Sequence, residues 1–338
     1  MLQEALSRGK RPNYRKPIIL GLAWLLVLLS LTTGAGSALT HRAEGAPVGP
    51  SNCLAPGDHK ALINGVELSY HVAGDGPVCV VHPGGPGLDW SYARMPEVEK
   101  HFRMVYLEPV GTGASGRLER QNDYTFERYV EDLEALRRRL GLEKMYLLGH
   151  SHGGMVAQHY ALRYGERLQG LILYATTPVT DDTFQKTVAM NVFWFFDRPW
   201  YWEAMAGMRD TATVRTDEEA TRNFRRYVGL YFADYDAHKQ EIDRFAEGVR
   251  CSLAPNQAFY RQMPFFDLRN RLGEISAPVL ILAGRKDFLC PVQYAEEMAS
   301  RIKGAQLVLF EHSGHLAHLE EPAAFAEAMA RFKAGAAH

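Results

Sequence analysis

The sequence predicts an α/β fold: a mostly parallel sheet with helices on both faces and a helical cap inserted late in the chain. Three observations predict it. Short apolar runs without alternation, at 78–81, 102–107, 145–148 and 171–174, have the pattern of strands buried on both faces. They alternate with segments of helical spacing, as crossovers in a parallel sheet require. Between 181 and 269 the strand runs stop, and roughly half of the chain's Phe, Trp and Tyr crowd into that quarter.

A length of 338 residues accommodates one large domain with such an insertion. The 46% hydrophobic and 23% charged content is that of a globular protein and excludes a disordered one. A formal net charge of -1 argues against a nucleic-acid binder. The four cysteines, Cys53, Cys79, Cys251 and Cys290, have no C-x-x-C spacing, so zinc and thioredoxin-type sites are not expected. Cys79 lies in an apolar run and is expected to be buried; one disulfide among the other three stays open if the chain is exported.

At the N-terminus Arg8, Lys10, Arg11, Arg15 and Lys16 stand against Glu4 alone, and an almost wholly apolar stretch follows over 17–31. Small residues, Ala35, Gly36, Ser37 and Ala38, come next. Residues 1–40 therefore read as a signal peptide, or as an anchor attached to a membrane through 17–38. Both place the folded part outside the cytoplasm. The Gly- and Pro-rich stretch 41–60 reads as a linker, 61–180 and 270–338 as the sheet-bearing core, and 181–269 as the cap.

The core opens with a hairpin, 62–63 and 66–72, turned by Asn64-Gly65, a pair suited to a type I′ turn. The run 78–81 leads into His82-Pro83-Gly84-Gly85-Pro86-Gly87. No Gly-Lys-Ser/Thr follows, so the loop is not a phosphate cradle. Its glycines suit an oxyanion loop, where backbone N–H groups must approach a reacting carbonyl. After the strand at 102–107 comes a turn beginning at Glu108. Residues 125–140 then form an amphipathic helix stopped by Gly141.

The run 145–148 enters Gly149-His150-Ser151-His152-Gly153, and helical spacing leaves it. G-x-S-x-G between a strand and a helix is a nucleophile elbow. It needs glycines at 149 and 153, because the neighbouring strand and helix leave no room for side chains. Two later runs, 278–283 and 306–310, lead to Asp287 and His315. In a parallel sheet ligands bind beyond the carboxyl ends of the strands, and the Gly84-Gly85 loop, the Glu108 turn, Ser151, Asp287 and His315 all fall there. The order Ser, Asp, His is that of the α/β-hydrolase fold. His315 would take the Ser151 proton and Asp287 would orient the imidazole. The N–H groups of Gly85 and His152 would bind the oxyanion. His312 and His318 are the alternatives for the base, Glu311 and Asp267 for the acid. This chemistry calls for no metal or organic cofactor.

The motifs Gly84-Gly85-Pro86-Gly87, Gly284-Arg285-Lys286-Asp287-Phe288-Leu289-Cys290-Pro291 and Ser313-Gly314-His315 through Pro322 resemble those of the prolyl-iminopeptidase branch of α/β-hydrolase fold serine peptidases. The resemblance covers nearly the whole chain after residue 60. It implies an aminopeptidase that releases N-terminal residues from short peptides, with cap carboxylates holding the free ammonium group. Glu203 and Glu219 are the candidates. The chain departs from the branch at Pro83, where His is usual; at Glu108-Pro109-Val110; and at His152, where Trp is common. The aromatic cap equally suits an esterase or lactonase of small apolar acyl compounds, and a third reading is a non-catalytic binding protein on the same fold. The expected partner is a small molecule or short peptide.

Overall fold

The computed structural model describes residues 53–335. Eight strands form one sheet: β1 (Gly57–Ile63), β2 (Val66–Ala73), β3 (Val78–His82), β4 (Arg103–Leu107), β5 (Met145–His150), β6 (Leu168–Tyr174), β7 (Val279–Gly284) and β8 (Gln306–Phe310). Their order is β1-β2-β4-β3-β5-β6-β7-β8. The first two pairings, β1 with β2 and β2 with β4, are antiparallel, and the rest are parallel. This is the expected α/β-hydrolase fold.

One difference lies at the start. β1 begins at Gly57, inside the stretch read as a linker. Its exposure alternates along an edge, so it lacks the continuous apolar run that marks the inner strands. The hairpin turn has the geometry expected: Asn64 and Gly65 both take positive φ, 45° and 82°.

Adjacent residues of the inner strands point to opposite faces. Val80, Leu147, Leu171 and Ile281 face one core, while Val81, Leu148, Ile172 and Leu280 face the other. The first core is covered by α2 (Phe126–Arg139), α3 (His152–Tyr164) and α9 (Val292–Arg301). The second is covered by α1 (Pro96–Glu99) and α11 (Pro322–Gly335), with the short α10 (Ala317–Glu320) before it. Helix α2 shows why these segments fold locally. The Thr125 hydroxyl caps it by accepting from Arg128 N, Arg137 to Arg139 fill its last turn against the dipole, and Gly141 leaves it at φ 69°.

Between β6 and β7 lie α4 (Asp182–Asn191), α5 (Tyr201–Asp210), α6 (Asp217–Tyr227), α7 (Lys239–Gly248) and α8 (Leu253–Gln262). Val192, Phe195, Tyr201, Ala204 and Leu230 form a small core of their own that closes on Phe288, beside Asp287. All four cysteines are free thiols. Among the described residues no helix is long and apolar enough to cross a membrane; the segment 17–38 lies outside them.

Candidate active site

Ser151 stands between β5 and α3 at φ 54°, ψ −121°, a conformation costing a non-glycine residue about 1–3 kcal/mol. The surroundings over-determine it. Ser151 N donates to Tyr174 O (2.9 Å), and Ser151 O accepts from Gly154 N (2.9 Å) and Thr176 Oγ1 (2.7 Å). A Cβ on Gly153 would overlap the carbonyl oxygens of His82 and Pro83, and one on Gly149 would overlap Gly153 O. These contacts account for both glycines of the motif.

His315 and Asp287 are brought together in a buried pair, Nδ1 to Oδ2, 2.7 Å. The other Asp287 oxygen accepts from Leu289 N and Cys290 N, both at 2.9 Å. A carboxylate with both oxygens so engaged is an acceptor only, so the His315 proton sits on Nδ1 and Nε2 is left as an acceptor. His315 N donates to Tyr231 O of the cap segment (2.8 Å). The four alternatives lie elsewhere. Glu311 is exposed and paired with Arg285, Asp267 is exposed and paired with Arg269, His312 is exposed, and His318 is buried among other partners.

A Cβ on Gly84 would lie 2.7 Å from Ser151 Cβ, so the glycine loop is pressed against the elbow, and Gly85 holds φ 118°. Gly84 N is already engaged by the Tyr92 hydroxyl. Sequence reasoning missed the network that begins there. Tyr92 Oη lies 2.8 Å from His150 Nδ1, and His150 Nε2 lies 3.1 Å from His315 O. A carbonyl only accepts, so His150 is the Nε2–H tautomer and Tyr92 donates to Nδ1. One buried histidine thus ties the glycine loop to the His315 loop. His318 repeats the device, with Nε2 on Tyr92 O (2.9 Å) and Nδ1 on the Tyr174 hydroxyl (3.0 Å). Burial drives His318 down to about 4 and His150 well below the ordinary histidine range, so both brace the loops as neutral rings.

Glu320 adds a latch to the cap. Its carboxylate accepts from Ala233 N and Gly314 N, both at 2.7 Å, and burial raises it to about 7. Glu108 folds its own turn, accepting from Ala114 N, and burial raises it too.

The candidate cap acids are not brought to the cluster. Glu203 is exposed and pairs with Arg226 at 2.5 Å. Glu219 accepts from Arg215 N (2.7 Å) while the Thr216 hydroxyl accepts from Glu219 N (3.2 Å), a side-chain cap at the start of α6. The His152 ring is buried against Phe259 (centroids 4.1 Å), with Phe126 and Tyr129 around it. Its Nε2, like that of the neighbouring His82, has no hydrogen-bond partner. Asp287, Cys290 and His315 are close enough to suggest a metal site. The set fits one poorly: Asp287 and His315 Nδ1 are bonded to each other, and burial beside Asp287 pushes the Cys290 thiol up, away from the thiolate a metal needs.

A profile of the alpha/beta hydrolase fold family matches residues 77–322. The chain belongs to that family. Among relatives of this hydrolase, a proline iminopeptidase of Pestalotiopsis fici is 28% identical over 77% of the chain and 93% of its own length. A second proline iminopeptidase, of Saccharolobus solfataricus, is 27% identical over 78% and 86%. A 2-hydroxy-6-oxo-2,4-heptadienoate hydrolase of Pseudomonas putida is 26% identical over 78% and 91%. In structure, an alpha/beta fold family hydrolase from Bacillus anthracis superposes on the hydrolase with a TM-score of 0.67, covering 81% of the chain and 98% of its own, at 22% identity.

Proposed function

We propose that this hydrolase is a serine hydrolase acting through an acyl-enzyme, with Ser151 as nucleophile, His315 as base and Asp287 as its orienting acid. The observation that carries it is the buried Asp287–His315 bond at 2.7 Å, which fixes the tautomer a base needs, at the same sheet edge as the strained Ser151. His315 Nε2 takes the Ser151 proton as Oγ bonds to the substrate carbonyl carbon. The N–H groups of Gly85 and His152 hold the resulting oxyanion; His152 is the first residue of α3, where an N–H has no intrahelical acceptor. As the intermediate collapses, the leaving amine or alcohol departs with the proton from His315. Water then attacks the acyl-enzyme by the same route in reverse, restoring Ser151.

The substrate reading that the motifs and the iminopeptidase relatives support is an aminopeptidase releasing N-terminal residues, proline foremost, from short peptides. The esterase or lactonase reading has its own support. Glu203 and Glu219 are spent on Arg226 and on the α6 cap, leaving neither as an evident anchor for an ammonium group. A panel of proline arylamide and p-nitrophenyl acyl esters, with Ser151→Ala as control, separates them. Arylamide hydrolysis lost in the variant supports the first; ester hydrolysis alone supports the second. No turnover and no labelling of Ser151 by a fluorophosphonate would overturn both and favour a binding protein. We further propose that the folded part works outside the cytoplasm, exported or anchored by residues 17–38. N-terminal sequencing of the exported protein tests this: a start near Leu39 means cleavage, an intact Met1 an anchor.

A further inference from the structure

The stretch 190–202 of the cap is apolar on both sides. Val192, Phe195 and Tyr201 point in and build the cap core. Met190, Phe193, Trp194, Phe196 and Trp202 point out, and are 65%, 60%, 52%, 60% and 70% exposed. Among the described residues only four other large apolar side chains are exposed, Leu62, Tyr260, Phe265 and Leu319, and none of them falls in this stretch. Single exposed apolar residues are ordinary, but five within thirteen positions form a patch that needs a reason.

The backbone makes the patch continuous. Helix α4 runs on into the 3₁₀ turn Val192–Phe195, so Met190, Phe193 and Trp194 share one face by their three- and four-residue spacing. Phe196 N donates to Phe193 O (3.2 Å), which closes a turn and sets Phe196 beside Phe193. The Tyr201 ring then links Phe196 (6.3 Å) to Trp202 (5.1 Å). The charged groups within the stretch are Asp197 and Arg198, which pair with each other at 3.7 Å, while Arg198 also reaches Asp236 at 3.3 Å. Next along the chain, Glu203 pairs with Arg226. No charge within the stretch is alone, and Lys186, exposed one turn before Met190 on α4, has a stem long enough to keep its ammonium at the headgroup level.

We infer that this face of the cap docks into the interfacial layer of a lipid bilayer. Two Trp, two Phe and a Met in one exposed patch are side chains that gain from burial in acyl chains, with indole N–H groups that suit the headgroup level. The chain outside the described residues argues for lipid over a second copy. The apolar run 17–31 behind five basic residues is expected in or at a membrane. From residue 39 to the first described residue, Cys53, only fourteen residues intervene. At about 3.5 Å each they reach roughly 50 Å fully extended, about the diameter of a folded body of this size. The inference rests on the proposed anchoring: while the chain stays anchored, such a tether is long enough for faces of the body other than the one it leaves to touch the bilayer, and keeps them within reach. The docked face backs onto the site: inward, Phe195 packs on Phe288, Phe288 on Tyr231, and Tyr231 on His315. A membrane-dissolved acyl compound would meet the cap without crossing bulk water.

The test is independent of turnover. The full chain, with Cys53→Ser and Cys251→Ser, is reconstituted into phosphatidylcholine–phosphatidylglycerol vesicles carrying a nitroxide at Phe193→Cys, or at Leu62→Cys on β1 as the control. The expected result is a label at 193 several-fold more accessible to oxygen, relative to a water-soluble nickel complex, than the label at 62. Equal aqueous accessibility at both positions in molecules that float with the vesicles overturns the docking alone, whereas molecules that do not float overturn the anchoring and the docking with it. Spin–spin broadening at 193 also overturns the docking, since it would mean that a second copy covers the patch. Shielding of 193 from both reagents overturns it as well, since the chain's own N-terminal segment would then be the occupant.

Discussion

The carboxyl edge of the sheet and the cap above it handle polar groups in opposite ways. At the edge, Asp287, His150 and His318 are buried and each is bonded to named partners on loops from other strands. In the cap, ionised groups sit outside in pairs such as Glu203–Arg226 and Lys239–Asp243, and several aromatics are turned to solvent. The first arrangement fixes one geometry, because an unpaired buried group is costly. The second tolerates change, because exposed pairs contribute little. On the proposed mechanism, bond breaking falls to the first region and choice of substrate to the second.

The comparison is broken most directly at the edge. Asp287→Asn keeps the shape but no longer holds the His315 tautomer, so kcat should fall about 10⁴-fold; steady-state kinetics on whichever acyl substrate the wild type turns over measures this, and a change below tenfold would remove Asp287 from the mechanism. A smaller effect is expected at His150, which acts through its neighbours. His150→Phe should lower kcat by about 10–100-fold, comparable to losing outer partners of a catalytic group, with KM little changed. An equal loss in KM and none in kcat would show that the Tyr92–His150–His315 link does not position the base.

Acidity sharpens the contrast further. Burial holds His82 and His318 near 4 and His150 and His152 well below the ordinary 6.5. The unfolded chain binds protons there that the folded chain refuses, so stability should fall as pH drops from about 6.5 toward 4. Glu320 works in the other direction. Raised from 4.5 to about 7, it keeps a proton that the unfolded chain has lost, and its contribution disappears as pH rises through about 7. Thermal unfolding of wild type and Glu320→Gln at pH 5 and pH 8 isolates this term. The variant should gain relative to wild type at pH 8, and a constant difference would show that Glu320 does not titrate as described. The least effect is expected in the cap: Glu203→Gln and Glu219→Gln should leave ester hydrolysis within about twofold and stability within about 1 kcal/mol. A selective loss of arylamide hydrolysis would return the ammonium role to them.

Much of the edge was legible because each of its groups follows a strand whose apolar run is visible by itself. Ser151, Asp287 and His315 could be placed without knowing their distances. The bracing network was not legible, since Tyr92 and His315 reach His150 across 58 and 165 residues and no local pattern announces them. The cap was read only as helical. An aromatic that points out, such as Trp194, and one that points in, such as Phe195, look alike in a short irregular helix. Glu219 did carry a usable signal: Thr216 three residues before it spells a helix cap, which competes with any role as a ligand.

The Asp287–His315 pair comes from the loops after β7 and β8, the last strands of the sheet, whereas the elbow and the whole cap precede them. A growing chain therefore makes Ser151 and the cap well before it makes His315. The Asp287–His315 pair and the His150–His315 contact require the last strand of the sheet and the loop after it. On the proposed mechanism a chain that stops before β8 holds Ser151 without its base, and the timing of activity is written into strand order.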